Sequence, residues 1–381
     1  MDHNQRMAVG ESAVEVGNWK RLDGIDLLRG FAIFFVLMNH VNIRLLLAKV
    51  PYTNGLAPLL IQSLVWNGQF GVQIFFAISG FLITSISLRR WKSFSEIPPR
   101  DFYMLRFARI APLLFLVLAI LSCLHLASVH NFVVPAKAGG LGRALFAALT
   151  FHLNLLEAWR GYLPGSWDVL WSLSVEEMFY LFFPLVARLR GRGKLFIALL
   201  CAFIVLGPFG RRALTHGNPI WQEKSYLGGM DAIALGCLAA VIVSRIRFRR
   251  VALRTFNWIG VGSLVLVLGF ASQWLLRRIN RAGLEETILA IGTCLITIAS
   301  AQTQWKSPRF LRPLLKLGQY SYEVYLTHMF VVFTLFQPFS PSRQTNASRT
   351  RFLRPNDLNF RTARRHDRPP LLGAHEPLLT Q

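Results

Sequence analysis

The run LDGIDLLRGFAIFFVLMNHV, Leu22 to Val41, decides what kind of molecule this chain is. It has the length and apolar content of a helix that crosses a bilayer, where about 20 residues span ~30 Å of hydrocarbon. Arg29 and His40 interrupt it. Ionisable side chains are costly at bilayer depth and are retained for a purpose. Their eleven-residue separation amounts, at 100° per residue, to three turns plus about 20°. Both side chains therefore lie on one face, about 16 Å apart along the axis. One face carries a fixed positive charge at one depth and a titratable imidazole roughly half a hydrocarbon core further on.

The rest of the chain repeats the apolar theme. Its 381 residues are 53% hydrophobic and only 16% charged, far less charge than a water-exposed surface of that size needs. Mean hydropathy is +0.40. Separated apolar stretches of roughly 17–25 residues predict an all-α, polytopic transmembrane bundle of about nine to ten spans. The formal charge of +23 does not signal nucleic acid, because the basic residues cluster in short connectors between apolar runs. Cys123, Cys201, Cys237 and Cys294 stand singly within apolar runs, so neither disulfides nor a metal site is expected. The first twenty residues are polar and mixed in charge, and the first apolar run exceeds a signal-peptide h-region. It is read as the first span.

Candidate spans begin near Ile25, Phe70, Phe107, Asp168, Leu195, Gly228, Phe256, Leu284 and Leu317. A tenth run, LGRALFAALTFHLNLLEAW from Leu141, is short and carries His152, Asn154 and Glu157. The most basic connectors fall on one side only if this run does not cross fully. That side then holds about twenty Lys and Arg against about ten opposite. The amino terminus is accordingly expected in the cytoplasm, and 141–157 is read as interfacial or re-entrant.

The carboxyl-terminal stretch breaks the pattern. Residues 338–381 contain eight arginines, six prolines and no lysine, without hydrophobic periodicity. Such composition cannot bury a core and predicts disorder. A basic tail beyond a ninth span that ends outside also runs against the charge rule orienting everything else. The expected organisation is a cytoplasmic segment 1–21, a membrane domain 22–336 and a disordered tail 337–381, read from a shifted frame that has removed a last span.

Four more segments place polar groups where lipid alone would not want them: GVQIFFAISGF (71–81), FYMLRFARIAP (102–112), WSLSVEEMFYLFFP (171–184) and LGQYSYEVYLTHMF (317–330). Together they resemble the acyltransferase 3 family of bacterial membrane acyltransferases. The Arg, ten residues, His pattern matches at Arg29 and His40. The Arg-x-x-Arg pair matches at Arg106 and Arg109, and SLSVEE-x-FY places Glu176 at the family's acidic position. GMDAIALGCLAA (229–240) resembles its aspartate-containing span, and SYEVYLTH its late span with a terminal histidine. The five patterns occur in order from Leu22 to about Phe336. The family's usual final Glu-x-Pro span is the departure.

The resemblance implies transfer of an acyl group, usually acetyl, from cytoplasmic acyl-CoA to a hydroxyl of a glycan or similar acceptor at the outer face. Acetyl-CoA would be a substrate; no bound cofactor and no metal are expected. The implied partners are membrane lipid and a carbohydrate or lipid-linked glycan, with no nucleic acid, in the bacterial inner (plasma) membrane. Counting along the spans puts Arg29, Arg106 and Arg109 at the cytoplasmic side, where arginines suit CoA phosphates. His40 falls in the outer half, with Glu176 expected at a comparable depth, and the two are the catalytic candidates. Asp231, Glu323 and His328 are the acceptor-side candidates. Alone, each has a plainer reading: Arg29 snorkelling, His40 bonding between helices, Arg106 and Arg109 orienting the chain. The competing functions are a transporter or flippase, an inactive truncated acyltransferase, and a Ser79–His40 protease.

Overall fold

The computed structural model describes residues 21–336 apart from 54, 188–192, 216, 271–278, 280 and 304. The expectations for 1–20 and for the tail from 337 onward therefore lie outside the described residues. The described residues are helical, without strands. In order the helices are α1 (Asp23–Leu47), α2 (Pro58–Val65), α3 (Gly68–Trp91), α4 (Pro99–Leu126), α5 (Gly140–Leu149), α6 (Leu153–Arg160) and, after a helical turn at Gly165–Asp168, α7 (Trp171–Ala187). Then follow α8 (Gly193–Arg211), α9 (Pro219–Lys224), α10 (Tyr226–Arg245), α11 (Arg250–Phe270), α12 (Glu285–Thr303), α13 (Arg312–Gln319) and α14 (Ser321–Phe336). Among the described residues, eight helical stretches are long and apolar enough to cross a membrane. The chain is a multi-pass membrane protein.

Local chemistry sets the boundaries. α1 starts with Asp23 and Asp26 in its first turn, where carboxylates complement the helix dipole. Asp23 also accepts from the Ser307 backbone N–H at 2.9 Å, fastening the start of α1 to the connector before α13. Ser225 caps α10 by accepting from the Gly228 N–H at 3.1 Å. α3 and α10 approach backbone to backbone: a methyl group on Gly80 would overlap the Ile233 carbonyl, and one on Gly236 the Ala77 carbonyl. Small residues at such crossings are how helices associate in lipid.

The run from Leu141 does not cross. It breaks at Thr150–His152 into α5 and α6, of 10 and 8 residues, or about 15 and 12 Å, against the ~30 Å needed. The helix directions agree. His40 on α1 meets His328 on α14, and four residues further on Arg44 meets Phe333. α1 and α14 thus run parallel, as they must if α3, α4, α7, α8, α10, α11 and α12 alone cross between them. One further crossing would make them antiparallel.

The ninth candidate span is α14, which at 16 residues is not one of those eight, and its start needs correcting. Gly318 lies against Asp26 and Gly30 against Leu314, so α13 runs antiparallel to α1. The chain reverses at Tyr320, and the parallel helix begins at Ser321, not Leu317. The end holding Asp23, Lys306 and α13 is called the basic end below, and the end holding Leu47, α5 and α6 the far end.

Candidate active site

α1, α3, α4, α7 and α14 line a half-open cavity of about 100 Å³. Arg29, Arg109 and Glu176 supply its charge, Ser79, Ser172, Tyr322 and Tyr325 its hydroxyls, and Phe75 and Phe76 part of its apolar wall. Arg29 is held loosely by Asp26, one turn back on α1, at 3.6 Å. Arg109 is exposed and among the described residues has no carboxylate within ion-pair distance. These two guanidiniums retain free N–H donors.

Arg106 does not. It bonds Glu177 closely, approaches Glu176 at 3.4 Å, and lies 4.0 Å from the centre of the Tyr180 ring. The reason is where α4 starts. Sequence reasoning opened this span near Phe107, but the helix begins at Pro99, which carries Arg106 about 10 Å deeper, to the level of the α7 glutamates.

The same pairing separates Glu176 from His40. Glu176 accepts from the Ser79 hydroxyl and from Arg106, and Ser79 accepts from the Tyr180 hydroxyl at 2.8 Å. Glu176 belongs to the cavity wall, not to the imidazole. Ser79 is equally committed, so the Ser79–His40 protease arrangement is not formed.

His40 meets a second histidine instead. His328 Nε2 lies 3.3 Å from His40 Nδ1, with ring centroids 4.9 Å apart. His328 Nδ1 lies 2.7 Å from the Tyr325 carbonyl, and His40 Nδ1 lies 2.9 Å from the Val36 carbonyl. For neutral rings, these contacts assign both tautomers. A carbonyl only accepts, so His328 carries its proton on Nδ1 and offers Nε2 as an acceptor. His40 then carries its proton on Nδ1, shared between the Val36 carbonyl and His328, which leaves His40 Nε2 with a free lone pair. Tyr325 joins the pair to the cavity: its carbonyl receives His328 and its hydroxyl receives Ser172 at 2.8 Å.

The other acceptor-side candidates lie elsewhere. Asp231 is fully buried, and both of its oxygens are engaged. Arg211 binds it through two parallel bonds of 2.9 Å, Thr287 donates at 2.6 Å, and its own neighbour Ala232 donates at 2.8 Å. Arg211 spends its remaining N–H groups on Thr287, Gly228 and Gly283. This ion pair holds α8, α10 and α12 together and leaves nothing for a substrate. Glu323 is exposed, two residues into α14 and close enough to Arg29 to interact electrostatically, so it belongs to the basic end.

Sequence reasoning missed a third cluster at the far end. Lys224, fully enclosed, bonds Glu157 at 2.9 Å and Asp168 more closely. Asn154 donates to the Lys224 carbonyl at 3.0 Å, and Glu157 accepts from the Leu163 N–H at 3.0 Å. The signal was present in the polar residues of the 141–157 run, which bind α6 into the bundle. No group of three or more His, Cys, Asp or Glu side chains among the described residues has the arrangement of a metal site.

A helical membrane bundle with a paired imidazole above an arginine-lined cavity has the parts of a membrane-embedded group-transfer enzyme. The family described as an acyltransferase domain matches residues 22–353, and the chain belongs to that family, acyltransferase 3. The chain is similar to the O-acetyltransferase OatA of Staphylococcus aureus (strain NCTC 8325), 25% identical over 325 residues, covering 81% of this chain and 50% of the relative. It is also similar to the peptidoglycan O-acetyltransferase OatA of Listeria monocytogenes, 24% identical over 357 residues, covering 86% of this chain and 52% of the relative. The chain thus spans about half the length of the curated relatives it matches. No solved structure matches it.

Proposed function

We propose that this chain transfers an acyl group, most simply acetyl, from acyl-CoA across the membrane to a hydroxyl of a cell-envelope glycan. The observation that carries the reading is the His40–His328 pair, with His40 Nε2 unshared, next to a cavity into which Arg29 and Arg109 open. In this reading the basic end faces the cytoplasm, as the roughly two-to-one excess of Lys and Arg supports, in a bacterial inner membrane. Arg29 and Arg109 grip the phosphates of the donor, whose thioester enters the cavity from below. The acceptor comes from the far end.

The chemistry then balances without a further group. The acceptor oxygen attacks the thioester carbonyl while His40 Nε2 takes its proton, and the tetrahedral carbon collapses as the C–S bond breaks. The leaving thiolate takes the proton back from His40, giving ester and free CoA. His328 holds the reactive tautomer through its acceptor contact with His40 Nδ1. The Listeria relative's name specifies peptidoglycan, which makes a peptidoglycan-like glycan the first acceptor to try.

Proteoliposomes given acetyl-labelled acetyl-CoA and a glycan acceptor test the reading. Labelled ester on the glycan, lost in His40→Ala, is the expected result. Movement of glycan or acetyl-CoA without ester formation identifies a carrier instead. Reporters fused after Lys194 or Arg250 should read cytoplasmic, and those after Pro164 or Arg212 extracytoplasmic. The opposite readings would invert the donor and acceptor ends.

A further inference from the structure

Arg44 stands one helical turn beyond His40 on α1, four residues on and so on the same face. Its guanidinium carbon lies 4.3 Å from the centre of the Phe333 ring. Arg44 is half-buried, and Phe333 and Met329 are 5% and 2% exposed, so the ring face of the stack points into the bundle. Both lie on α14 beyond His328, and Met329 also borders Gly165, the residue that opens the turn before α7. A Cβ placed on Gly165 would lie 3.5 Å from Arg44 Nη2. The guanidinium thus has an aromatic ring on one side and, beside it, a position kept small by glycine.

It has no counter-charge among the described residues, although the far end is rich in acids. Glu157 and Asp168 are held by Lys224, Asp231 and Glu286 by Arg211, and Glu285 by Arg212. Glu223 accepts from the Tyr162 hydroxyl at 3.2 Å. Every described acid of this end is engaged elsewhere. An arginine half-buried at this depth and serving structure alone would be expected to share one of them, because a partly desolvated, unpaired charge is costly. Snorkelling to lipid does not account for it either, since a snorkelling stem lies along the lipid-facing surface.

We propose that Arg44 is the anion-binding residue of an acceptor subsite, and that the acceptor carries a carboxylate or phosphate about 6 Å from the hydroxyl presented to His40. The assignment rests on the acyl-transfer reading, because it takes His40 as the point where the hydroxyl arrives. A planar guanidinium pre-oriented on Phe333 offers a two-pronged grip on such a group, which lysine cannot reproduce. The anion would order the sugar ring and select a charged glycan over a neutral one.

The test uses the full chain in a neutral maltoside detergent and two oligosaccharides of equal length. One is a neutral N-acetylglucosamine oligomer; the other alternates with muramic acid, whose lactyl groups carry free carboxylates. Transfer from acetyl-CoA and binding, read by tryptophan fluorescence, are measured separately. The expected result is that the wild type favours the carboxylate glycan about tenfold or more in kcat/KM, and binds it better. Arg44→Gln should remove that preference by raising KM for the charged glycan, and Arg44→Lys should restore it only in part. An equal preference in wild type and Arg44→Gln overturns the proposal, as does equal binding. If the substitution acts only when phosphatidylglycerol is added, the anion is a lipid headgroup and the acceptor subsite is wrong. Arg44-dependent binding of the charged glycan without ester formation would sink the acyl-transfer reading and leave the anion site standing.

Discussion

Two buried polar clusters lie within the same bundle and have opposite characters. Around Arg211 and Asp231, all five guanidinium N–H groups and both carboxylate oxygens are spent on protein partners. Around His40, one ring nitrogen is left unshared, and below it Arg29 and Arg109 keep donors turned to a cavity. Depth and charge do not separate the two: both sit inside the helices, and both hold ionisable residues that lipid disfavours. Unspent hydrogen-bonding capacity does. A closed network fixes helices, whereas an open one waits for a ligand.

The comparison breaks most sharply at His40. His40→Ala should lower transfer by about 10²–10⁴ while the melting profile stays near that of the wild type, as expected for a lost general base. Near wild-type turnover would show that the open cluster is not the reacting one. The closed cluster should respond in the other sense. Asp231→Ala strands Arg211 without its counter-ion and should cost about 3–5 kcal/mol of stability, seen as loss of monodisperse protein in detergent. A folded, inactive Asp231→Ala protein would instead return Asp231 to the reacting site.

His328 sharpens the comparison at a smaller scale. His328→Gln keeps a side chain able to accept from His40 Nδ1, whereas His328→Leu removes the acceptor. The leucine variant should lose roughly fivefold to a hundredfold in kcat, the worth of about 1–3 kcal/mol of hydrogen bonding, with KM little changed. The glutamine should recover part of that loss. Equal losses in both would reduce His328 to packing. The smallest effect distinguishes the arginines. Arg29→Ala and Arg109→Ala should raise KM for acyl-CoA about tenfold each, while Arg106→Ala, which strands Glu177, should show itself in stability. Unchanged donor affinity in the first two would make them orientation charges.

The spans were legible because lipid imposes one demand on every segment, and hydrophobic length reports it directly. That the 141–157 run does not cross was legible through its polar residues and the charge balance on either side, whereas its break at Thr150–His152 was not. The partners were not. Arg106 pairs with glutamates 70 and 71 residues away, and a start of α4 set too late by some eight residues concealed that they share a depth. His328 was visible as an ionisable residue within an apolar run, but its meeting with His40 is 288 residues distant in sequence. Local periodicity says on which face a side chain lies and nothing about what that face will touch. Asp231 shows the converse, since its surroundings in the sequence resemble those of a site and its partners in space exhaust it.

The parallel contact of α1 with α14 has a consequence for biosynthesis. The first membrane helix leaves the ribosome with half of the histidine pair, and the other half is encoded near the end of the bundle. At roughly 5–20 residues per second, the 288 residues from His40 to His328 take about 15 to 60 s to synthesise. Through that interval His40 sits in a nascent bundle with its partner still unmade, so the site can be completed only when the whole domain has been delivered. A ribosome that stalls or terminates early leaves an embedded bundle in which His40 still lacks its partner, so the pair exists only in chains translated through α14.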